Sequence, residues 1–276
     1  MQKLLPLALL LAGCTAPVAP RAGGGAASMR IVSTNPCADA MLVELVSPDR
    51  IAAISHYSQD PAATSMPLDI ANRFATTAGT AEEVIALDPD LVLTSSFTPA
   101  STRNAYDRAG LKTLLLDSPT TVEASKAQVM QVADAVGEEA RGRALNVRID
   151  HALSSALPPK AKGNPSAILF IGGSLANGSG TLLDELLTRA GFRNAATGYG
   201  LAFTGTLPIE TIAAHPPRVI LTPGPSRTAA LRARVLAATG AGTVEAEFPR
   251  TLVNCGGPTI IPAITRLAAV RRQVAS

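Results

Sequence analysis

The sequence is poor in the residues that highly charged or membrane-spanning proteins need. Charged residues make up only 16% of the 276 positions, aromatic residues make up 3%, and tryptophan is absent. The formal net charge of +3 argues against a nucleic-acid-binding surface, because phosphate binding requires concentrated lysine and arginine. Beyond residue 30, no stretch offers the ~20 uninterrupted apolar residues of a transmembrane helix. The hydrophobic fraction of 47% is ample for a folded core, which excludes wholesale disorder.

The chain is also short of side chains that bind transition metals. A zinc or manganese carrier needs several histidines and carboxylates that converge on one point. The three histidines are His56, His151 and His215, and none belongs to an HxH or HExxH pattern. The sequence therefore predicts no metal site of its own.

The first 14 residues, MQKLLPLALLLAGC, are typical of an export signal, with a lysine followed by an apolar run too short to span a bilayer. Residues 11–14 resemble a bacterial lipobox, in which a lipid is attached to the cysteine thiol before cleavage. We therefore predict that Cys14 is a lipid anchor, since several buried acyl chains hold a protein stably at a membrane. Ordinary signal cleavage near Ala16 or Ala19 is the alternative.

Residues 15–29 are rich in alanine, glycine and proline and lack apolar periodicity, which is typical of a flexible tether. Export places the mature chain in an oxidising compartment, where cysteines can pair. The two cysteines that remain after the anchor are Cys37 and Cys255, and the sequence alone leaves open whether they form a disulfide. We predict a periplasmic protein that contacts a membrane only through its lipid.

From residue 30 the chain alternates short apolar runs with amphipathic ones, a pattern typical of a β/α protein with mostly parallel strands. The predicted strands of the first half are 30–34, 51–55, 91–95 and 112–116. The predicted helices between them are 38–46, 81–87 and 102–109. We assign residues 30–137 to an N-terminal α/β lobe.

A long helical segment then interrupts the alternation. Residues 138–157 carry leucine or isoleucine at a spacing of four, which predicts a helix with one buried face that ends at Pro158. We assign residues 138–160 to this linking helix. A second series follows, with predicted strands at 167–171 and 218–222 and predicted helices at 182–190, 228–238 and 260–270. The predicted fold class is α/β, with two Rossmann-like lobes, 30–137 and 161–276, joined by a single long α-helix and enclosing a ligand cleft.

Two segments, 82–94 and 210–222, repeat one pattern. The first reads EEVIALDPDLVLT and the second reads ETIAAHPPRVILT, so a glutamate, an alanine, a proline, a leucine and a threonine recur at matching positions. Each segment predicts a short helix opened by glutamate, a proline turn and a buried strand. Convergence on a common composition is one explanation, and each glutamate also suits the helix dipole. A duplicated half-molecule explains in addition why both halves carry the glutamate, Glu82 and Glu210, at the same site.

Three stretches of the sequence together resemble a known family. They are RIVSTNPCAD at 30–39, TAEEVIALDPDLVL at 80–93 and GTLLDELLTRAGFRN at 180–194. With the long middle helix between them, the chain is similar to the helix-linked periplasmic substrate-binding proteins of ABC importers for cobalamin and ferric siderophores. The resemblance implies a two-lobe fold, no catalysis, and an ABC permease dimer with its ATPase subunits as partner.

The resemblance also implies how such a protein docks. In this family one surface glutamate per lobe binds arginines of the two permease subunits, and the matching positions here are Glu82 and Glu210. A two-fold permease offers two equivalent basic sites, and charge pairs at an interface rim set encounter rate and register. We expect a monomer that presents both carboxylates to the permease.

The ligand is expected in the cleft, because ligands of open α/β sheets bind beyond the carboxyl ends of the strands. The loops at those ends carry scarce aromatic residues, which suit a large flat ligand, although they could also simply fill the surface between the lobes. The predicted ligand-binding residues are Asn35, Cys37, His56, Tyr57, Phe97, Ser174, Tyr199, Phe203, Asn254 and Cys255.

These loops contain no lysine or arginine, which disfavours a strongly anionic ferric catecholate. We therefore predict cobalamin as the ligand, with a ferric siderophore or haem as the alternative, and no cofactor. His56 suits a cobalt or iron ligand because neutral imidazole binds both metals, although a lone loop histidine more often only forms hydrogen bonds.

A serine hydrolase is the alternative from another class. Residues 171–176, IGGSLA, come near the GxSxG pattern, with Ser174 as nucleophile and Asp184 and His215 as its partners. The pattern is incomplete because Ala176 replaces its last glycine, and His215 is expected at a helix end across the sheet from Ser174. We therefore predict that the protein is not an enzyme.

Overall fold

The computed structural model describes residues 28–158 and 163–275. The predicted export signal 1–14, with its anchor Cys14, and nearly all of the tether lie outside the described residues, so the lipid anchor stays a prediction. Among the described helices, none is long and apolar enough to cross a membrane.

The N-terminal lobe is built on a parallel sheet. Its strands are β1 (Ile31–Ser33), β2 (Ile51–Ser55), β3 (Thr76–Thr77), β4 (Leu91–Ser95) and β5 (Thr113–Leu116). Its helices are α1 (Pro36–Leu45), α2 (Leu68–Ala71), α3 (Ala81–Ala86), α4 (Ala100–Arg108) and α5 (Val122–Ala135). The strand order is β3-β2-β1-β4-β5, and all residues of β1 are buried. Aliphatic and β-branched residues suit such central strands because both faces of the sheet are covered.

The C-terminal lobe contains a second sheet that is mixed. Its strands are β6 (Ser166–Gly172), β7 (Leu175–Asn177), β8 (Arg193–Asn194), β9 (Thr204–Thr206), β10 (Val219–Thr222) and β11 (Val244–Glu247). Its helices are α7 (Leu182–Arg189), α8 (Ile209–Ala214), α9 (Arg227–Ala238) and α10 (Ile260–Ala275). The order is β11-β10-β6-β7-β9, and β8 pairs with β6. Strands β7 and β9 run antiparallel to their neighbours, because Gly173, with φ of +53°, lets the chain reverse tightly after β6.

The helix α6 (Glu139–Ser155) links the two lobes. Its buried face includes Leu145, Ile149 and Leu153, four residues apart as predicted. Its 17 residues span about 25 Å. It lies within the predicted helical run 138–157 and ends close to Leu157, because Pro158 follows and the residue preceding a proline avoids helical geometry.

The two halves of the molecule pair their strands in the same way. β1 pairs with β4 and then β5, and β6 pairs with β10 and then β11, all in parallel. The registers also match, since Ile31 lies beside Leu91 as Ala167 lies beside Val219. The two-lobe α/β fold predicted from the sequence is confirmed, and the repeated segments 82–94 and 210–222 occupy equivalent places in it.

The largest hydrophobic cluster runs through both lobes. It joins Leu93 of the first sheet to Leu221 of the second through Ile149 of α6 and Leu267 of α10. The linking helix is therefore part of a continuous core as well as a connection between two bodies. Such packing favours a fixed angle between the lobes over wide closure.

Candidate ligand-binding site

Two cavities lie between the lobes, at the carboxyl ends of the parallel strands. The larger, about 510 Å³, belongs mainly to the N-terminal lobe, and the smaller, about 270 Å³, is lined mostly by the C-terminal lobe and the loop that precedes α10. Both cavities include Ser118, Pro119 and Asn254 in their lining. We call the two together the interlobe cleft. Its position is the one in which open α/β sheets bind ligands.

A disulfide between Cys37 and Cys255 lies in the lining of the cleft. Cys37 is in the first turn of α1, where the side chain of Asn35 caps the helix by accepting a hydrogen bond from the Cys37 amide at 2.9 Å. The pairing that the sequence left open is thus formed, and it connects the N-terminal lobe to the segment before α10.

The segment after Cys255 packs closely against the N-terminal lobe. The amide of Gly257 donates to Ser125 Oγ of α5 at 2.6 Å. A Cβ atom at Gly256 would lie only 2.2 Å from that same oxygen, so this position requires glycine. The disulfide and these two glycines therefore connect the segment before α10 to α1 and α5 beside the cleft.

Three exposed aromatic rings open onto the cleft. Tyr57 is 51% exposed, Phe97 is 81% exposed and Phe203 is 63% exposed. Tyr57 and Phe97 line the larger cavity and Phe203 lines the smaller one. No lysine, arginine or histidine belongs to the described lining of either cavity, and the acidic residue there is Asp117. The cleft therefore offers flat apolar surface with little charge, which suits a large planar ligand.

His56 and Tyr57 begin a 3₁₀ turn (His56–Gln59) that follows β2. Their rings lie 4.1 Å apart between centroids at 36°. The His56 Nδ1 atom lies 3.2 Å from the carbonyl oxygen of Thr77, and a carbonyl only accepts, so Nδ1 carries the proton. The neutral tautomer then leaves a lone pair on Nε2. That arrangement is common in histidines that bind metals.

Seven of the ten predicted ligand-binding residues line the cleft, and three do not. The seven are Asn35, Cys37, Tyr57, Phe97, Phe203, Asn254 and Cys255. His56 is adjacent to a lining residue, while Ser174 lies exposed in the turn between β6 and β7. The Tyr199 hydroxyl donates to the carbonyl of His215, and its ring packs on a hydrophobic cluster of the C-terminal lobe.

The residues of the alternative hydrolase do not assemble. The Asp184 carboxylate accepts hydrogen bonds from Asn194 Nδ2 at 2.9 Å and from the Gly180 amide at 3.0 Å. His215 is the residue that ends α8. Within the described residues, no hydrogen bond joins Ser174, Asp184 and His215 side chains, so the serine has no general base.

Two arginines near the cleft were not in the predicted site. Arg250 Nε donates to the carbonyl of Ala62 at 2.5 Å, and its Nη1 donates to the carbonyl of Ile171 at 3.4 Å, so one side chain bridges both lobes. Arg103 donates to the carbonyl of Ser96, beside Phe97, at 3.3 Å. No sequence motif marks either arginine, because only the folded chain brings them to the edge of the cleft.

Glu82 and Glu210 occupy equivalent exposed positions in the first turns of α3 and α8. Neither forms a hydrogen bond or an ion pair within the described residues. The neighbouring Glu83 has the structural role, since its carboxylate accepts from Thr77 Oγ1 and from the Ala78 amide, both at 2.7 Å. These bonds, that from Thr77 above all, lower the pKa of Glu83. The lobes thus present two carboxylates that have no partner in the described fold.

A two-lobe α/β protein whose cleft lies between the carboxyl ends of two sheets has the architecture of a solute-binding protein. The chain is a member of the periplasmic binding protein family, whose sequence profile matches residues 31–246. It is therefore a periplasmic solute-binding protein of an ABC importer and not an enzyme, as predicted.

Solved structures support the fold. The chain is similar to the haem-binding protein RhuT from Roseiflexus sp. RS-1, with 23% identity over 90% of this chain and 100% of that chain and a TM-score of 0.73. It is also similar to the haem-binding protein HutB of Vibrio cholerae, with 18% identity, 88% and 98% coverage and a TM-score of 0.72. The vitamin B12-binding protein BtuF of Vibrio cholerae gives 17% identity, 90% and 98% coverage and a TM-score of 0.68. A search of the curated proteins found no match.

Proposed function

We propose that this binding protein captures a flat metal–tetrapyrrole in the interlobe cleft, with haem as the first candidate and cobalamin as the second. The main support is the set of exposed rings, Tyr57, Phe97 and Phe203, around a cleft with little charge. Aromatic surface of this extent is unfavourable in water, and a stacked macrocycle covers it.

We prefer haem to cobalamin for two reasons, the size of the cavities and the ligands of similar proteins. The cavities of about 510 and 270 Å³ suit a planar porphyrin better than a corrinoid, which carries a nucleotide loop beneath its ring. RhuT and HutB are haem-binding proteins, whereas BtuF is a vitamin B12-binding protein. Cobalamin, the sequence-based prediction, stays the second candidate, and the small number of cationic groups still disfavours a ferric catecholate.

The arginines at the edge of the cleft fit the propionates of haem. Arg250 and Arg103 each use part of a five-donor guanidinium on carbonyl oxygens. The remaining N–H groups can donate to carboxylates at the rim, where the macrocycle edge meets solvent. The apolar rings would then hold the face of the ligand and the arginines its charged edge.

His56 is our candidate for a ligand of the bound metal. Its Nδ1 proton is used by the Thr77 carbonyl, so Nε2 is the atom with a free lone pair. Neutral imidazole binds both iron and cobalt. His56 already lies beside Tyr57, a residue of the cleft lining, with 4.1 Å between their ring centroids.

Delivery to the importer follows from the two exposed carboxylates. We propose that Glu82 and Glu210 dock on basic sites of the two permease subunits, and that a lipid on Cys14 holds the protein at the membrane. The equivalent placement of both glutamates in a repeated structure supports the docking proposal.

Replacing Tyr57 with alanine is expected to weaken ligand binding by about 1–3 kcal/mol, the scale of one aromatic stack. The loss should be measured by titrating the purified protein with haem and following the Soret absorption. Tyr199→Phe is the matched control, because it changes a tyrosine outside the cleft lining and should bind as the wild type does. An unchanged dissociation constant in the Tyr57 variant would remove this ring from the site.

A ligand panel tests the proposed function as a whole. The wild-type protein should be titrated with haem, cyanocobalamin and several ferric siderophores under identical conditions. We expect saturable one-site binding of haem and weaker binding of cyanocobalamin. Tight binding of a siderophore with no response to either tetrapyrrole would overturn the proposal.

A further inference from the structure

A buried carboxylate lies directly beneath the turn that carries His56 and Tyr57. Asp39 is in the first turn of α1 and is completely buried. Its Oδ2 atom accepts hydrogen bonds from the Ser55 amide at 2.9 Å and from Ser58 Oγ at 2.6 Å. Its Oδ1 atom is buried without a hydrogen-bond partner. Burying a carboxylate is costly unless hydrogen bonds compensate it, and here only one of its two oxygens has partners.

The two hydrogen bonds of Asp39 lie on either side of His56 and Tyr57 in the sequence. Ser55 ends β2 and Ser58 lies inside the 3₁₀ turn, so His56 and Tyr57 fall between the two anchored positions. Ser55 also accepts from the Tyr57 amide through its side chain, at 3.4 Å. With both ends of the segment bound to one carboxylate, the backbone of His56 and Tyr57 has little freedom to move.

We propose that Asp39 is a positioning residue of the ligand-binding site, whose carboxylate fixes the Ser55–Ser58 turn so that Tyr57 faces the cleft with His56 beside it. This inference rests on the proposed function, since it assigns to these two residues the contact with the ligand. Asp39 itself does not touch the ligand, and it acts through hydrogen bonds to the turn.

The charge on Asp39 is sensitive to pH in a useful range. Burial raises its pKa to about 7, against the opposing effect of the nearby Ser33 side chain and of the hydrogen bonds from Ser58 and Ser55. The Ser33 hydroxyl is already donated to the Asn35 carbonyl at 3.1 Å, which leaves Oδ1 as the free position for a proton. A protonated carboxyl is a weaker acceptor than a carboxylate. The hydrogen bonds that hold the turn to Asp39 should therefore weaken as the pH falls below about 7.

Few other titratable groups face this carboxyl. Its partners are two serine residues, and the titratable side chains on the same turn are His56 and Tyr57. The arginines of α6 that reach α1 bind its far end, Arg148 at Glu44 and Arg141 at the Leu45 carbonyl. The helix α5, which also packs on α1, carries Lys126, which is paired with an aspartate of α6, together with Glu123 and Asp134. A pH effect that disappears on neutralising Asp39 can thus be assigned to it.

The test compares Asp39→Asn, Ser58→Ala and the wild type. Asparagine keeps the size and one acceptor but has no charge, and Ser58→Ala removes one bond while the carboxylate stays. Haem affinity should be measured across a pH series that brackets the value of about 7. We expect the haem affinity of the wild type to fall as the pH drops below this value, a change that we call the acid-side step. Asp39→Asn should bind haem about tenfold more weakly, the scale of a hydrogen bond to a charged group, and should lack this step. Ser58→Ala should bind more weakly but keep the step.

Asp49→Asn, a change of an exposed aspartate on the same lobe, is the matched control and should behave as the wild type. An acid-side step of equal size in Asp39→Asn and wild type would overturn the proposal. If the wild type binds no tetrapyrrole, the proposed function fails separately, and amide hydrogen exchange of the ligand-free proteins decides the positioning role. Faster exchange of the Ser55 amide in Asp39→Asn than in the wild type and in Asp49→Asn would support it, and unchanged exchange would overturn it.

Discussion

Replacing Cys37 and Cys255 together with serine is expected to lower the free energy of unfolding by about 2–5 kcal/mol. The disulfide joins residues 218 positions apart, so it removes a large share of the freedom of the unfolded chain. It also connects α1 of the first lobe to the segment before α10, at the place where the lobes meet. Urea denaturation of the double variant and the oxidised wild type gives the difference.

Reduction of the wild type supplies the control. A mild reductant should bring the stability of the wild type down to that of the Cys37→Ser, Cys255→Ser variant and leave the variant itself unchanged. The transition should stay single, because the largest hydrophobic cluster runs through both lobes. A wild type whose denaturation midpoint does not respond to reductant would show that the bond contributes little to the stability of the mature protein.

The elements that the sequence predicted well are those with strong local patterns. Strands β2 and β4 were predicted to the residue, because each is a continuous apolar run that ends in polar or turn residues. Strand β11 was not predicted, because Val244–Glu247 alternates charged with apolar residues and is mostly exposed. It is a strand because its backbone pairs with β10. That pairing depends on the tertiary fold and leaves no local pattern in the sequence.

The residues that line the cleft were predictable where their loop directly follows a parallel strand. The rule that ligands bind beyond the carboxyl ends of strands indicated the loops of Tyr57 and Phe97, and both side chains line the larger cavity. The same rule also indicated the loop after β6, but an antiparallel hairpin follows this strand and Ser174 is not in the lining of either cavity. Asp39 lies in the stretch RIVSTNPCAD, but nothing in the sequence marks its role, because its contacts with Ser55 and Ser58 exist only once α1 packs on β2.

Combining Glu82→Ala with Glu210→Ala is expected to abolish uptake of the ligand while the dissociation constant stays at its wild-type value. Both side chains are exposed and form no bond within the described residues, so their removal should cost the fold little. Each lobe would lose the anion that it presents to one permease subunit, and rim charges of this kind control encounter and register. Ligand uptake by cells or by vesicles containing the importer measures the effect.

The neighbouring Glu83 makes this test specific. Glu83→Ala removes a carboxylate from the same turn of α3, but that carboxylate holds Thr77 and Ala78, so the expected result is a less stable protein that still transports. The single variants Glu82→Ala and Glu210→Ala should each retain part of the uptake, because one docking contact remains and a two-point attachment is stronger than either point alone. Normal uptake by the double variant would remove the glutamates from the docking surface. A loss of ligand affinity would show instead that the glutamates affect the cleft. We do not expect this result, because both lie in the first turns of α3 and α8, outside the cleft lining.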